Sequence, residues 1–501
     1  MSRRRLYTNA LVAVVQVVVV AGLLFELYRF LLRQIGTEQL GAWSLVLAIV
    51  SMSSIAEFGI GGSVVKFVAG DLGAGKRERA AATVAMCAAT AATFVAVSFV
   101  VVAPLATYML KGVIADPALY ASAIGLLPWA LASVLTTTVA QMMLSTLDAC
   151  QRTDLRAAIG LSGAAAQLGA AYYFVPRDGV LGVGPALFAQ GALTLVLGVV
   201  AVVLVLNVPA RVWLGGERSR LREILRYGGA IQVIAVAQML FDPAVKLLLS
   251  IFGGLSATGL YEVANKAVIQ FRSIIVSAFQ MLVPFLAHRL GGNDYPREVM
   301  AKIYRDVQGL LIVLTVPYYA LVAAALPILL TLWLGRFEQV FVEMGLICLA
   351  GWTVNTLVVS SYMISVATGQ LKWLVGAHVL IGAGSMVLGF AGGTVFGGMG
   401  VIAGSMLGLA AGSSIVPLWF HRYYGVSPRA FVPAHTGPLI AASLVGVGVL
   451  LAMQLSGTSP QLSVSLVTSY GLFASILAVL VVRHPVVAEL IARKRPAQSS
   501  S

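Results

Sequence analysis

The sequence predicts an all-α polytopic membrane protein, and three observations lead to this fold class. Of the 501 residues, 59% are hydrophobic and only 10% are charged, whereas soluble domains carry about 25% charged residues. Apolar runs, each near the length of about 20 residues that crosses the hydrocarbon, repeat from Ala10 to Val482. Lysine and arginine concentrate in every second segment between these runs.

The apolar runs divide into fourteen predicted spans. Helices are the expected spanning form because backbone polar groups do not stay unpaired in lipid, and a barrel would show alternating strands of about ten residues. The predicted spans are 8–33, 40–69, 80–110, 118–148, 156–176, 181–207, 226–252, 258–287, 304–333, 339–368, 373–394, 398–421, 436–455 and 462–483.

The distribution of basic residues fixes the predicted orientation. Of the 33 lysines and arginines, 24 fall in one set of alternating segments and three in the other, namely Lys111, Arg177 and Arg336. Cytoplasmic loops carry the excess of Lys and Arg. The bias therefore predicts both termini on the cytoplasmic side of the membrane. The first apolar run is long and has no small-residue cleavage site, so it is predicted to be the first span.

Several function classes are excluded by composition and loop length. The outer loops are short, as in "GGLSATG" and "LGRFEQ", so no extramembrane catalytic site is expected and a glycan polymerase or ligase is disfavoured. The three cysteines, Cys87, Cys150 and Cys348, make no disulfide framework, and no Cys/His spacing suits a metal. The net charge of +14 is typical of basic cytoplasmic loops and does not indicate nucleic acid. We expect no enzyme activity and no resident cofactor.

One loop imitates a phosphate-binding motif. "GDLGAGKR" (Gly70 to Arg77) nearly matches G-x-x-x-x-G-K-[ST], but Arg77 stands where Ser or Thr should bind magnesium. The motif also belongs between a strand and a helix, and here it joins two spans. We therefore interpret it as a glycine-rich basic turn, and ATP-driven pumping by this chain is not expected.

The two halves of the chain are related by a shift of 218 residues. "LGAW" (Leu40 to Trp43) then lies over "TGLY" (Thr258 to Tyr261), and "VKFVAGDLG" (Val65 to Gly73) over "VPFLAHRLG" (Val283 to Gly291), identical at five of nine positions. Six spans separate the copies, so both halves have the same orientation. Parallel repeats of this kind occur in transporters, with the substrate site between the halves.

The repeat defines the predicted domains. The division is an N-lobe at 1–207, a cytoplasmic inter-lobe linker at 208–225, a C-lobe at 226–421, spans 13 and 14 at 422–483 and a cytoplasmic tail at 484–501. Two pseudo-symmetric six-helix lobes are thus followed by two C-terminal helices without counterparts.

The charged residues well inside the spans lie on spans 1, 2, 7 and 8, the first two of each repeat, whereas Asp148 and Glu343 lie near the ends of other spans and fit interface positions. A charge at the bilayer centre costs at least about 2.5 kcal/mol, so these side chains are expected to face a shared aqueous cavity between the halves. The six bases are Arg29, Arg33, Lys66, Lys246, Lys266 and Arg272, and the four acids are Glu26, Glu57, Asp242 and Glu262.

Spacing suggests which of these charges neutralise one another. Partners lie on one helix face in Glu26–Arg29, Asp242–Lys246 and Glu262–Lys266. Lys66 and Arg33 are close enough to span ends to extend their charged groups towards the interface. Outside these three pairs, the bases Arg33, Lys66 and Arg272 and the acid Glu57 remain, so the remaining charge is positive. A positive enclosed cavity suits an anionic headgroup such as a phosphate or diphosphate.

Several stretches resemble the polysaccharide-transporter family of the MOP superfamily, the Wzx-type flippases. They are "YRFLLRQIGTEQLGAWSLVLAIVSMSSIAEFGIGGSVVKFVAG" (Tyr28 to Gly70), "LREILRYGGAI" (Leu221 to Ile231) and "GLYEVANKAV" (Gly259 to Val268). The resemblance covers nearly the whole chain. It implies a V-shaped, two-lobed MATE-like fold that works by alternating access.

The resemblance also implies a substrate and a site. The implied substrate is an undecaprenyl-diphosphate-linked oligosaccharide, moved from the cytoplasmic to the outer leaflet, and polysaccharide polymerase machinery and membrane lipids are the implied partners. The family places cavity cations on the helices that here carry Arg29, Arg33, Lys66, Lys246, Lys266 and Arg272. With no ATP site, buried carboxylates suggest H⁺ or Na⁺ coupling, and downhill product consumption is the alternative driving force.

Other functions remain open at this stage. A MATE-like drug or organic-cation antiporter of the same superfamily would use unpaired acids and aromatic side chains, with Glu57 or Asp242 as a coupling carboxylate. A lipid II flippase would show a more strongly basic cavity. A structural scaffold is disfavoured by the buried charges.

Overall fold

A computed structural model describes residues 3–53, 60–215, 220–225, 236, 241–280, 297–368, 370, 372–455 and 464–494. Within these ranges the regular structure is helical, and no strand occurs. The α-helices are α1 (Arg3–Ser51), α2 (Ile60–Gly73), α3 (Arg77–Val113), α4 (Pro117–Ala149), α5 (Thr153–Asp178), α6 (Val183–Leu206), α7 (Phe241–Phe252), α8 (Gly254–Gln280), α9 (Arg297–Leu334), α10 (Gln339–Leu357), α11 (Val359–Ala367), α12 (Lys372–Tyr424), α13 (Gly437–Leu455), α14 (Val464–Arg483) and α15 (Pro485–Lys494). Short 3₁₀ turns occupy Gly179–Gly182, Ala210–Leu214 and Pro428–Phe431.

The helices confirm the predicted polytopic all-α fold. In the described part of the chain, eight helical segments are long and apolar enough to cross a membrane. Two of them, Thr153–Leu206 and Lys372–Tyr424, each hold two predicted spans. The eight segments thus account for ten of the fourteen predicted spans. The described parts of the other four predicted spans are helical and belong to α1, α2, α7 and α8, which carry the described intramembrane charges.

Five of the predicted outer loops are tight turns that contain a glycine with positive φ. Helix α1 bends at Gly36 and α12 at Gly397, where φ is 74° and 60°. Gly179, Gly254 and Gly335 also have positive φ and lie between consecutive helices. Side chains with a Cβ disfavour this backbone region, whereas glycine adopts it freely. These turns explain how neighbouring helices reverse direction with so few connecting residues.

One compact unit comprises Met1–Glu262 and Phe390–Val401. Within it α6 packs along both α4 and α5, and α1 packs against α5. A large buried cluster joins α2, α3, α4 and α6, with Val64, Cys87 and Met142 among its members. Apolar side chains on the outer faces remain exposed, as a lipid environment requires: Val100 is 76% exposed and Leu204 is 73% exposed.

The second compact unit comprises Val263–Gly389 and Ile402–Ser501. Helix α9 packs against α10 and α13, and α13 packs against α14. Ala324, Leu439 and Phe473 belong to the buried cluster that joins α9 to the two C-terminal spans. The Gln454 side-chain amide also donates a hydrogen bond to the carbonyl of Ala324, at 2.8 Å. The two appended helices are therefore held by apolar packing and a buried polar contact.

Small residues let the two halves of α12 approach closely. A Cβ added at Gly404 would overlap the carbonyl of Leu388, and one at Gly408 would overlap the backbone of Ser385. The hydroxyl of Ser385 donates to the carbonyl of Ser405 at 2.9 Å. Close small-residue packing of this kind replaces the hydrophobic effect as the force between helices in lipid.

Replacing Gly404 by valine should destabilise this contact. The added methyl groups meet backbone that has nowhere to move, and overpacking typically costs about 1–3 kcal/mol. We expect the midpoint of thermal unfolding in detergent, followed by tryptophan fluorescence, to fall by several degrees. Gly376→Val on the same helix is the matched control, because a Cβ there meets nothing within 4 Å. Equal midpoints for the two variants would contradict the packing described.

Candidate functional site

A buried ionic cluster joins α7 to α8. The Lys246 ammonium lies 2.6 Å from Asp242 Oδ2, as the four-residue spacing predicts, and 2.7 Å from Glu262 Oε2. The side chains of Lys246 and Glu262 are each only 4% exposed, whereas that of Asp242 is 40% exposed. Two carboxylates thus surround one cation, and one of them reaches solvent-accessible space.

Two hydroxyl groups from α1 complete the shell of Glu262. Tyr28 donates to Glu262 Oε1 at 2.7 Å, and Ser44 donates to Glu262 Oε2 at 3.0 Å. Both donors are buried. Charge-assisted hydrogen bonds to a carboxylate are among the stronger ones in proteins. The ionised form of Glu262 is therefore supported by a cation and two hydroxyl donors.

The cluster follows the internal repeat. The shift of 218 residues that relates the two halves places Tyr28 over Lys246 and Ser44 over Glu262. Ser44 and Glu262, equivalent in the two repeats, contact each other directly. Contacts between equivalent positions are the signature of a two-fold interface. Positions that the repeat relates therefore lie in direct contact where α1 meets α8.

Glycine allows this meeting at backbone distance. A Cβ on Gly41 would overlap the carbonyl of Leu255, and one on its equivalent, Gly259, would overlap the carbonyl of Thr37. The hydroxyls of Thr37 and Ser256 lie 2.8 Å apart beside this crossing. Only the absence of side chains at Gly41 and Gly259 lets α1 and α8 approach closely enough for Ser44 to reach Glu262.

The outer half of α1 carries a second, more exposed group of charges. Arg29 and Glu26 lie 3.7 Å apart, and Tyr172 donates to Glu26 at 2.8 Å. The Nε atom of Arg29 is buried and has no hydrogen-bond partner in the described chain. Arg33 is exposed. The spacing correctly predicted the Glu26–Arg29 pair, and this pair leaves the guanidinium of Arg29 incompletely satisfied.

Arg272 is embedded in a neutral polar shell on α8. Its Nε donates to Asn355 Oδ1 at 3.0 Å, and its guanidinium lies 5.0 Å from the centre of the Trp352 ring. Asn355 is oriented by a 2.8 Å hydrogen bond to Ser413. Among the described residues, no carboxylate contacts Arg272. In the described part of the chain, this half-buried arginine thus has amide and aromatic neighbours and no carboxylate partner.

The remaining predicted site residues have different surroundings. Lys66 is exposed, and its ammonium lies 5.6 Å from the centre of the Phe67 ring. Lys266 is half-buried on α8, one turn after Glu262. Glu57 lies outside the described residues, as does the second repeat window, residues 283–291. Among the residues that are described, no group of three or more His, Cys, Asp or Glu side chains could hold a metal ion.

Sequence reasoning did not single out Tyr28, Ser44, Trp352 or Asn355. They are uncharged, so counting charges gave no reason to select them. The repeat contained a signal for the first two, because the shift that aligns Leu40 with Thr258 continues to Ser44 and Glu262. Trp352 and Asn355 lie on α10, and only the folded chain brings them to Arg272.

Comparisons with known proteins agree with this geometry. Residues 13–173 match the MatE family model. No curated protein matches the chain. Among solved structures, an inward-facing multidrug resistance MATE transporter of the MOP superfamily aligns with a TM-score of 0.71 at 14% identity, covering 81% of this chain and 94% of its own. The lipid II flippase MurJ, in an inward closed conformation, aligns with a TM-score of 0.71 at 10% identity, and the alignment covers 97% of this chain and 100% of MurJ. The Vibrio cholerae MATE transporter VcmN aligns with a TM-score of 0.57 at 16% identity, and the alignment covers 85% of this chain and 98% of VcmN.

The chain has the MOP-superfamily fold. The MatE match covers α1 to α5, and the alignment with MurJ extends over nearly the whole chain. The predicted all-α, MATE-like membrane fold is thereby confirmed. At these identities the comparisons establish the MOP fold and leave the substrate to be inferred from the site.

Replacing Lys246 by methionine should strongly destabilise the protein. Removing the cation leaves Asp242 and Glu262 facing each other without neutralisation, and breaking a buried ion pair costs about 3–5 kcal/mol. We expect a large fall in the unfolding midpoint in detergent. Lys66→Met, at an exposed position, is the matched control and should change the midpoint little. Equal stability of the Lys246 variant and the wild type would show that the cluster is not an ionic one.

Proposed function

We propose that the protein is a flippase that moves an undecaprenyl-diphosphate-linked oligosaccharide from the cytoplasmic to the outer leaflet of the bacterial inner membrane by alternating access. The observation that carries this proposal is Arg272, a cation within a predicted span that has no carboxylate partner in the described chain. A permanently charged group in such a position is costly and is typical of a functional site.

The chemistry of Arg272 favours a diphosphate ligand. A guanidinium presents donors in a planar fork that matches phosphate oxygens, and such charge-assisted bonds are strong. The Nε atom of Arg272 donates to Asn355, so the two terminal nitrogens of the guanidinium are the ones that we assign to a ligand. Trp352 lies beside the guanidinium and lowers the cost of its charge. These features suit recognition of an anion better than that of an organic cation.

The six predicted cations divide into two groups by their contacts. Lys246 is fully engaged by Asp242 and Glu262, so we assign it a structural or coupling role and no contact with substrate. Three arginines are better candidates for substrate contact. Arg29 has an unsatisfied nitrogen, Arg33 is exposed, and Arg272 contacts no carboxylate among the residues that the structure describes. Lys66 and Lys266 stay assigned to the same cavity by the family resemblance.

The contact between α1 and α8 supplies the element that alternating access requires. The predicted topology puts Thr37, Gly41, Ser256 and Gly259 at the outer ends of their helices. Because these residues meet at backbone distance, the outer side is closed along this crossing. Opening towards the outer leaflet would separate the two helices and expose the Lys246–Glu262 pair. Protonation of a freed carboxylate, or its binding of Na⁺, would couple an ion gradient to this step.

A MATE-like drug or organic-cation antiporter is the second candidate, and a specific observation favours it. The cluster on α7 and α8 holds two acids and one base, and Asp242 is accessible. Carboxylates in excess, with Tyr28 nearby, suit an organic cation or a proton. The MatE family match over residues 13–173 supports the same candidate. The lipid II flippase alternative is supported by the MurJ alignment.

Arg272→Gln distinguishes these candidates. In proteoliposomes, we expect flipping of an undecaprenyl-diphosphate oligosaccharide to fall at least tenfold, because the diphosphate loses its cation, and Arg272→Lys should restore part of the rate. Arg336→Gln, which removes an exposed charge from an outer loop, is the matched control. If Arg272→Gln leaves flipping unchanged while Glu262→Gln abolishes efflux of an organic cation, the antiporter is the correct function.

A cysteine pair tests the outer closure. In a Cys150→Ser background, Thr37→Cys with Ser256→Cys should form a disulfide on mild oxidation, because the native hydroxyls lie 2.8 Å apart. We expect flipping to stop under oxidant and to recover with a reducing agent. Each single cysteine variant is a control and should be insensitive to both reagents. A cross-linked protein that flips at the wild-type rate would rule out this contact as a gate.

A further inference from the structure

A second polar site lies away from the charged spans, where the residues after α6 fold back on α3. The loop "GDLGAGKR" serves here as an anchor: Asp71 receives two hydrogen bonds from Arg220, at 2.9 and 3.0 Å. The guanidinium of Arg220 also lies 4.6 Å from the centre of the Phe67 ring. Ile224 is fully buried against the same helices. The linker segment 220–225 is thus fixed to the ends of α2 and α3.

This anchoring leaves a pocket of about 350 Å³ between α3 and the linker. That volume lies within the range of roughly 300–1,000 Å³ that is typical of small-molecule sites. Residues 78, 79, 82, 83 and 86 line one face of α3, and Val212, Gly215 and Arg220 line the opposite wall. The positive-inside bias puts this end of α3 at the cytoplasmic surface of the membrane.

The lining combines three kinds of surface in one place. Ala82, Met86 and Val212 form an apolar floor. Arg79 and Arg220 supply positive charge, and the Nε atom of Arg220 is buried without a hydrogen-bond partner in the described chain. Glu78, on the same rim, supplies a negative charge. A ligand that satisfies all three would carry an anionic group, a cationic group and an apolar part.

We propose that this pocket binds the headgroup of an aminophospholipid, with its phosphate towards Arg79 and Arg220, its ammonium towards Glu78 and its glycerol region over Met86 and Val212. Charge complementarity favours this occupant over an anionic lipid. Asp71 and Glu223 already offset Arg220, so a lipid with net negative charge would meet Glu78 without compensation. The site is independent of the transport function proposed above.

The test titrates delipidated protein in detergent with short-chain phosphatidylethanolamine, phosphatidylcholine and phosphatidylglycerol, and with inorganic phosphate. The readout is the midpoint of thermal unfolding. Phosphatidylethanolamine should raise the midpoint saturably, and phosphatidylcholine should bind at least tenfold more weakly because its quaternary ammonium donates no hydrogen bond to Glu78. A response to inorganic phosphate alone that equals the lipid response would overturn the proposal.

The variants at Arg79 and Glu78, which are exposed, keep the test decisive because they do not threaten folding, and a third variant is made at the half-buried Ala82. Arg79→Gln should weaken phosphatidylethanolamine binding at least tenfold, Glu78→Gln should abolish its preference over phosphatidylcholine, and Ala82→Trp should block the pocket. Arg152→Gln and Asp154→Asn, an exposed ion pair on the next predicted cytoplasmic loop, are the matched controls and should bind like the wild type. Preference for phosphatidylglycerol, equal responses to all three lipids, or no response would each contradict the proposed occupant.

Discussion

The ion pair between Lys246 and Glu262 is the interaction on which this arrangement of helices depends. Both side chains are almost fully buried in predicted spans, where an isolated charge would cost at least about 2.5 kcal/mol. Neutralisation requires α7 and α8 to lie side by side, and the hydroxyls of Tyr28 and Ser44 require α1 to join them. One electrostatic demand therefore fixes three helices that belong to different repeats.

Glycine residues allow the helices to approach closely enough for these contacts. The helices approach closely only because Gly41 and Gly259 lack side chains at the crossing. The same device recurs in α12, where Gly404 lies against the backbone of Leu388. In lipid, apolar burial provides little force between helices, so close packing and polar contacts take over. The glycines thus allow the close helix approach that the contacts between charged and polar groups require.

Two kinds of charged site result, and their difference is the basis of the functional proposal. In the Lys246 cluster the cation is surrounded by carboxylates, so its charge is neutralised within the protein. Arg272 has amide and aromatic neighbours instead, and among the described residues no carboxylate contacts it, so we propose that its charge serves a ligand. A neutralised cluster suits a gate or a coupling site, whereas an uncompensated arginine suits an anionic substrate.

Much of the fold could be predicted from the sequence, because hydropathy and loop charge are properties of continuous segments. The predicted spans coincide with the helices even at the outer turns, where Gly36 and Gly397 replace loops. The contacts within the site were harder to predict from the sequence. Helical spacing paired residues within one helix, and it gave no reason to expect the salt bridge between Glu262 and Lys246, which lies on the preceding helix. Spacing reports neighbours within one helix only. Partners such as Asn355 on α10 and Arg220 beside Asp71 are brought together by tertiary folding.

Binding of the lipid carrier itself tests the central claim most directly. Native mass spectrometry of the purified wild-type protein should be carried out with three ligands: an undecaprenyl-diphosphate oligosaccharide, the matching neutral undecaprenol glycan, and an organic cation. If the uncompensated charge of Arg272 holds the diphosphate, the first ligand should be retained at least tenfold more tightly than the other two. Equal retention of the neutral lipid, or preference for the organic cation, would contradict the account.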